Sequence, residues 1–160
     1  MEYLDLYDEN AKKTGKVIVR GTPIRQGEYS MSVHLYIYNN NGDFLLQKRS
    51  KSKKSLPGIW SVTCGAVSSG ENSMQAGIRE TKEEVGIELK EEMLQFVARI
   101  KRRRSFIDIY FVKADFSLDE CVLQRKRWRR SVFAKEGSCW ASSVPPNGST
   151  AAIPPPFFQP

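Results

Sequence analysis

Between positions 31 and 38 apolar and polar side chains alternate: Val33, Leu35 and Ile37 fall on one face, His34, Tyr36 and Tyr38 on the other. A period of two predicts a strand. Asn39-Asn40-Asn41-Gly42-Asp43 follows, a run that tolerates positive φ and so turns the chain, and 44–48 returns as the partner strand. Leu4, Leu6 and Tyr7 suggest a short strand near the start, and 17–19 either a short strand or the start of a long loop. A basic loop over 50–58 closes with Pro57-Gly58 and leads into a strand over 60–64. From 72 to 85 the period becomes helical, with Asn72 or Ser73 able to cap the start and Gly86 placed to stop it. Segments 96–101 and 106–113 flank the turn Arg102-Arg103-Arg104-Ser105 and read as a hairpin. Strands with one helix between them indicate a mixed α/β or α+β domain.

A length of 160 residues suits one domain of ordinary size. With 40% hydrophobic and 27% charged residues, the chain is not disordered throughout, collagen-like or a disulfide scaffold. The longest uncharged apolar run, 31–38, is far short of the ~20 residues a membrane helix needs, so no membrane partner is expected. The start, Met1-Glu2-Tyr3-Leu4-Asp5, lacks the basic and apolar regions of a signal peptide, and Cys64, Cys121 and Cys139 are widely spaced with no CxxC. Both features point to a cytoplasmic protein without a disulfide framework or zinc site. The net charge of +7 is concentrated at one end: 1–122 carry 19 Lys/Arg against 17 Asp/Glu, 123–160 carry 6 against 1. Two smaller basic clusters, 48–54 and 101–104, read as solvated loops or turns, with a phosphate-facing role as the alternative.

The chemistry gathers around the helix. Gly65-Ala66-Val67-Ser68-Ser69-Gly70-Glu71 precedes it, and it carries Arg79-Glu80-Thr81-Lys82-Glu83-Glu84-Val85-Gly86-Ile87. At 100° per residue, Glu80, Glu83 and Glu84 fall within one sector of ~100°. Carboxylates so close repel one another unless water or a cation compensates them, and a hard divalent cation is a natural partner for carboxylate oxygens. Arg79, four residues before Glu83, can pair with it. The bland alternative is a solvated acidic helix face.

The complete spacing resembles the box of the Nudix family: Gly65, five residues, Glu71, seven residues, Arg79-Glu80, two residues, Glu83-Glu84, one residue, Gly86-Ile87. Thr81 departs from it at a position usually aliphatic, which bears on packing beneath the helix. Leu45-Leu46-Gln47-Lys48-Arg49 and Pro57-Gly58-Ile59-Trp60 also look like a Nudix domain, and the resemblance covers roughly 28–122. It implies an α/β/α sandwich with a mixed sheet, the box forming a loop–helix–loop on its edge. It further implies a hydrolase of a nucleoside diphosphate linked to another moiety, using Mg²⁺ or Mn²⁺. By matched position Glu80 and Glu84 would be the main metal ligands and Glu83 a further ligand or base. Glu71 and Arg79 would position them, and the backbone carbonyl of Gly65 would also meet the metal. Arg49, His34 and Tyr36 are candidate substrate contacts, with a buried structural role as the alternative for His34. A homodimer through an edge at 4–7 is expected by analogy.

Residues 45–71 also look like isopentenyl diphosphate isomerase, whose signature places a cysteine before the glycine of the box, as Cys64 stands here. That enzyme binds metal largely through histidines, one just after that glycine. Here the position is Ala66, and His34 is the one histidine in the chain. Isomerase chemistry is therefore not expected. The rival in another class is a catalytically weak nucleotide- or RNA-binding module using 48–54, 102–104 and the basic tail. The tail, 123–160, holds six of the eight prolines and shows neither a strand nor a helix pattern. It reads as a disordered basic extension or as the product of a shifted frame. Codons that can encode Lys126-Arg127-Trp128-Arg129-Arg130 yield Glu-Val-Glu-Glu when read two bases on.

Overall fold

The structure, a computed structural model, describes residues 1–52, 57–115, 117 and 121, and the backbone of 128–134. Its elements run β1 (Tyr3–Tyr7), β2 (Lys13–Val19), β3 (Ser30–Tyr38), β4 (Phe44–Arg49), β5 (Trp60–Ser61), β6 (Thr63–Ala66), α1 (Ser73–Val85), β7 (Leu94–Lys101), β8 (Ser105–Lys113) and β9 (Trp128–Ala134). Among the described residues α1 is the one α-helix, and a mixed sheet carries it, so the domain is α+β with the expected loop–helix–loop.

The central strand is β3. It runs parallel to β8 along its whole length and antiparallel to β6 over Ser32 to Leu35, but meets β4 only at Tyr38 opposite Phe44. Because β6 occupies that edge of β3, β4 peels away and pairs instead with β5 and β9. The one strand expected over 60–64 is therefore two short strands with different partners. Val62, between them, is buried in the core on the side of β3 away from α1.

The face of β3 carrying Val33, Leu35 and Ile37 packs beneath α1 with Val67, Ala76, Val85, Phe106 and Val112. The other face is buried as well: Tyr36 sits among Phe44, Leu46, Ile107 and Ile109. Strand alternation usually marks one solvated face; here a second cluster of aromatic and aliphatic residues closes the other face instead.

The helix ends follow their local chemistry. Asn72 Oδ1 accepts from Gln75 N at 2.9 Å, and Asn72 N donates to Gln75 Oε1 at 3.0 Å, a reciprocal cap. Ser73 is thereby free for another role. Gly86 takes φ 76° and donates its N–H to Lys82 O, a left-handed stop that glycine adopts without strain. Thr81 is fully buried, and its Oγ1 donates to Gly77 O at 2.8 Å. The polar atom that departs from the aliphatic pattern is thus satisfied inside the helix.

The 4–7 segment pairs within the chain: β1 joins β2, and Tyr7 and Tyr29 exchange backbone hydrogen bonds of 2.8 and 2.9 Å. Leu4, Leu6 and Tyr7 are buried. One expectation is corrected: β9 arises in a segment that showed no strand pattern. Its ladder with β4 runs from Phe44 opposite Ala134 to Arg49 opposite Trp128. Backbone pairing to an available edge overrides a weak side-chain pattern, and Trp128, Val132 and Phe133 suit a strand. The remaining expectations for 123–160, and Cys139 with them, lie outside the described residues.

Candidate functional site

The site is built from the loop after β6 and one side of α1. Arg79 is its hub. Its Nε and Nη2 grip Glu71 at 3.1 and 2.7 Å, Nη2 also donates to Ala66 O at 3.1 Å, and Nη1 reaches Glu80 at 3.0 Å and Glu83 at 3.4 Å. A planar guanidinium with five donors can hold such a set; an ammonium cannot. Glu71 is itself oriented by the loop, accepting from Ser68 N at 2.6 Å. Burial pushes the Glu71 carboxyl upward, but the hydrogen bonds from Arg79 and Ser68 outweigh it and hold the group below its ordinary range. The bond from Glu71, with those from Glu80, raises Arg79 above the usual guanidinium value.

The three helix glutamates differ in environment. Glu80 and Glu84 are buried, at 2% and 0% exposure, whereas the Glu83 side chain is 47% exposed. Helical geometry turns Glu80 and Glu84 toward the sheet and leaves Glu83 at the rim. Gly65 matters through close approach. A Cβ there would run into the Glu80 carboxylate, so only glycine lets the β6 backbone lie against it. From β4, buried Gln47 donates through Nε2 to Thr63 Oγ1 at 2.7 Å and toward Glu84 Oε2 at 3.4 Å, while its Oε1 has no hydrogen-bond partner among the described residues.

This donor set fits a hard divalent cation. Buried carboxylate oxygens, a backbone laid against one of them, and a buried amide oxygen in want of a donor supply ligands and an acceptor for a hydrated ion. Among the described residues, no three His, Cys, Asp or Glu side chains form a ready-made cage. A cavity of about 300 Å³ opens over the cluster, lined by Glu2, Arg20, Ser68, Arg79, Glu80 and Glu83.

The structure therefore brings Gly65, Glu71, Arg79, Glu80, Glu83 and Glu84 together. His34 and Tyr36 fall elsewhere, on the face of β3 away from the helix. His34 is 8% exposed, and burial together with the nearby positive charge of Arg102 depresses it to about 4. Tyr36 is 1% exposed, in edge-on and tilted contact with Phe44 and Phe111, and burial raises its phenol. Arg49 ends β4, its backbone bonded to Ile59 and Gly58. The basic clusters are partly engaged in packing. Lys48 lies over the Trp60 ring at 5.4 Å, and Lys101 over Tyr29 at 4.9 Å while donating to Glu9 O; residues 53–56 lie outside the described residues.

Sequence reading missed Gln47, which is 37 positions from Glu84, and the N-terminal hairpin. Asp5 on β1 accepts from Lys13 Nζ at 2.6 Å, Ser69 Oγ at 2.6 Å and Gly70 N at 3.2 Å, and Ser69 N donates to Tyr3 O. The hairpin is thus clamped to the loop that carries Glu71. Only the polar residue within an otherwise apolar strand start, Asp5, hinted at this.

A family model for the NUDIX domain matches residues 28–148. An uncharacterized Nudix hydrolase of Listeria monocytogenes, lmo0368, is 35% identical over 127 residues, covering 79% of this chain and 75% of that protein. The isopentenyl-diphosphate Delta-isomerase of Corynebacterium diphtheriae is 33% identical over 88 residues, 54% of this chain and 48% of that protein. The crystal structure of DR0079 from Deinococcus radiodurans superposes with a TM-score of 0.67 at 25% identity, over 83% of each chain.

Proposed function

The chain belongs to the Nudix hydrolase family, and from that premise we propose that it cleaves the diphosphate linkage of a nucleoside diphosphate joined to another moiety. The observation that carries the reading is the buried carboxylate of Glu80, set against the Gly65 backbone and lining a polar cavity, with the buried carboxylate of Glu84 one helical turn further on. Glu80 and Glu84 would hold Mg²⁺ or Mn²⁺, with Glu83 and the Gly65 carbonyl completing the protein's share. When bound, such an ion neutralises the diphosphate and lowers the pKa of an attacking water. Arg79 keeps the carboxylates from splaying apart, and Glu71 fixes Arg79. Exposed Glu83, at the rim, is placed to accept a proton from water as it attacks phosphorus. The products are a monophosphate and a second phosphate-bearing fragment.

Isomerase chemistry has no support here. The single histidine, His34, is buried on the far face of β3, so no imidazole ligand set can form. No helix among the described residues is long and apolar enough to cross a membrane.

The test is a hydrolysis panel with Mg²⁺ or Mn²⁺ spanning ADP-ribose, dinucleoside polyphosphates, nucleoside triphosphates and nucleotide sugars, run beside Glu84→Gln. Metal-dependent release by wild type, reduced at least about a thousandfold in the variant, is the expected result. Equal turnover by Glu84→Gln would overturn the assignment.

A further inference from the structure

The cavity over the carboxylates has one wall that does not come from the box. Arg20, just beyond the end of β2, and Glu2, just before β1, line it together with Ser68, Arg79, Glu80 and Glu83. Their side chains pair at 2.7 Å, Arg20 Nη1 to Glu2 Oε2, and Arg20 N donates to Glu2 O at 2.9 Å. Both side chains are partly exposed, 46% and 37%, so the ion pair is worth little and is readily exchanged.

The two cavity cations differ in availability. Arg79 is committed to Glu71, Glu80, Glu83 and Ala66 O. Among the described residues Arg20 pairs with one carboxylate, the half-exposed Glu2 that lines the same cavity. The hairpin that presents Arg20 is tethered: Asp5 with Lys13, Ser69 and Gly70, and Tyr3 O with Ser69 N, fix it to the loop before α1. A guanidinium presented by a tethered hairpin into a cavity that also holds carboxylates matches a ligand that is cation-bridged at one group and anionic at another. A diphosphate has that form, and guanidinium–phosphate pairs are short, charge-assisted and often bidentate.

We propose that Arg20 binds a phosphoryl oxygen of the substrate diphosphate, and that Glu2 occupies the guanidinium as an intramolecular stand-in until substrate displaces it. This rests on the hydrolase reading for the identity of the ligand but not for its test. Glu2 then acts as a competitor, so removing it tightens phosphate binding, while removing Arg20 weakens binding and abolishes any effect of Glu2.

The experiment is calorimetric binding of methylenediphosphonate, a diphosphate that cannot be hydrolysed, in the presence of Mg²⁺. Wild type is compared with Arg20→Ala, Arg20→Lys, Glu2→Gln and the Arg20→Ala/Glu2→Gln double variant, each shown to keep the wild-type melting temperature. Loss of a charge-assisted contact should weaken binding about tenfold in Arg20→Ala, with Arg20→Lys between. Glu2→Gln should tighten it about threefold, and only while Arg20 is present. Arg20→Ala within twofold of wild type, an equal Glu2→Gln effect in both backgrounds, or no binding by wild type would each overturn the proposal. The expected binding pattern with an inactive substrate panel would leave Arg20 assigned and remove the hydrolase reading. An active panel with Arg20→Ala unchanged in both binding and KM would remove only the Arg20 assignment.

Discussion

Two arginine–carboxylate networks meet α1, and they are built to opposite specifications. Near the N-terminus, Asp108 of β8 is fully buried and saturated. Arg99 of β7 donates to it through Nε at 2.6 Å and Nη2 at 2.8 Å, and Ser73 Oγ donates at 2.5 Å while also meeting Tyr110 Oη at 2.9 Å. One cation faces one anion, and a hydroxyl satisfies the rest. Along the next side of the helix, Arg79 faces Glu71 of the preceding loop and Glu80 and Glu83 of α1, with Glu84 also buried. There the acids outnumber the base, and the group opens into a cavity. Balanced charge in a closed setting straps helix to sheet. Surplus anion beside a cavity stores repulsion that a bound cation relieves, which is the electrostatic form of a binding site.

Breaking the balanced network should damage the fold and spare the chemistry. Asp108→Asn leaves the half-exposed Arg99 without its counter-charge and weakens the bonds at a buried position, and is expected to cost about 1–2 kcal/mol of stability, measured by urea unfolding, with turnover of the folded fraction within threefold of wild type. Loss of turnover in fully folded Asp108→Asn would mean that the two networks are one functional unit.

Adding metal should act on the surplus network alone. Saturating Mg²⁺, at a hundredfold excess over Kd, should stabilise wild type and Asp108→Asn by about 2.7 kcal/mol. Glu80→Gln and Glu84→Gln should lose most of that gain. Differential scanning fluorimetry across a Mg²⁺ titration reads it, and equal gains in all four proteins would place the ion elsewhere.

Acid separates both networks from the far face of β3. His34 titrates at about 4 in the fold and near 6.5 in the unfolded chain. Between those values the unfolded state binds the extra proton, so the stability is present above pH 6.5 and is lost as pH falls toward 4. The contribution is roughly 2–3 kcal/mol. Unfolding curves at pH 7 and pH 4.5 should show His34→Leu losing less stability on acidification than wild type.

The smallest effect expected sharpens the role of geometry within the surplus network. Arg79→Lys retains the charge but cannot span Glu71, Ala66 O, Glu80 and Glu83 together, and turnover should fall about tenfold with little change in melting temperature. Unchanged turnover would reduce Arg79 to a point charge.

Legibility followed the range of the interactions. The capped helix, its glycine stop and the spacing from Gly65 to Gly86 depend on neighbours within one or two helical turns, so residue order alone determined them, and with them the gathering of Glu80, Glu83 and Glu84 on one side. The turn at 39–43 and the hairpin of β7 and β8 were legible for the same reason. What only the tertiary structure decided are contacts whose cost is loop closure over long separations: β6 displacing β4 from β3, β4 recruiting β9, and the burial of His34 and Tyr36 on a face that alternation marked as polar. Gln47 against Glu84, and Arg20 in the same cavity as Arg79, belong to this second group, because a period of two or of 3.6 reports which way a side chain points but not which distant strand arrives to meet it.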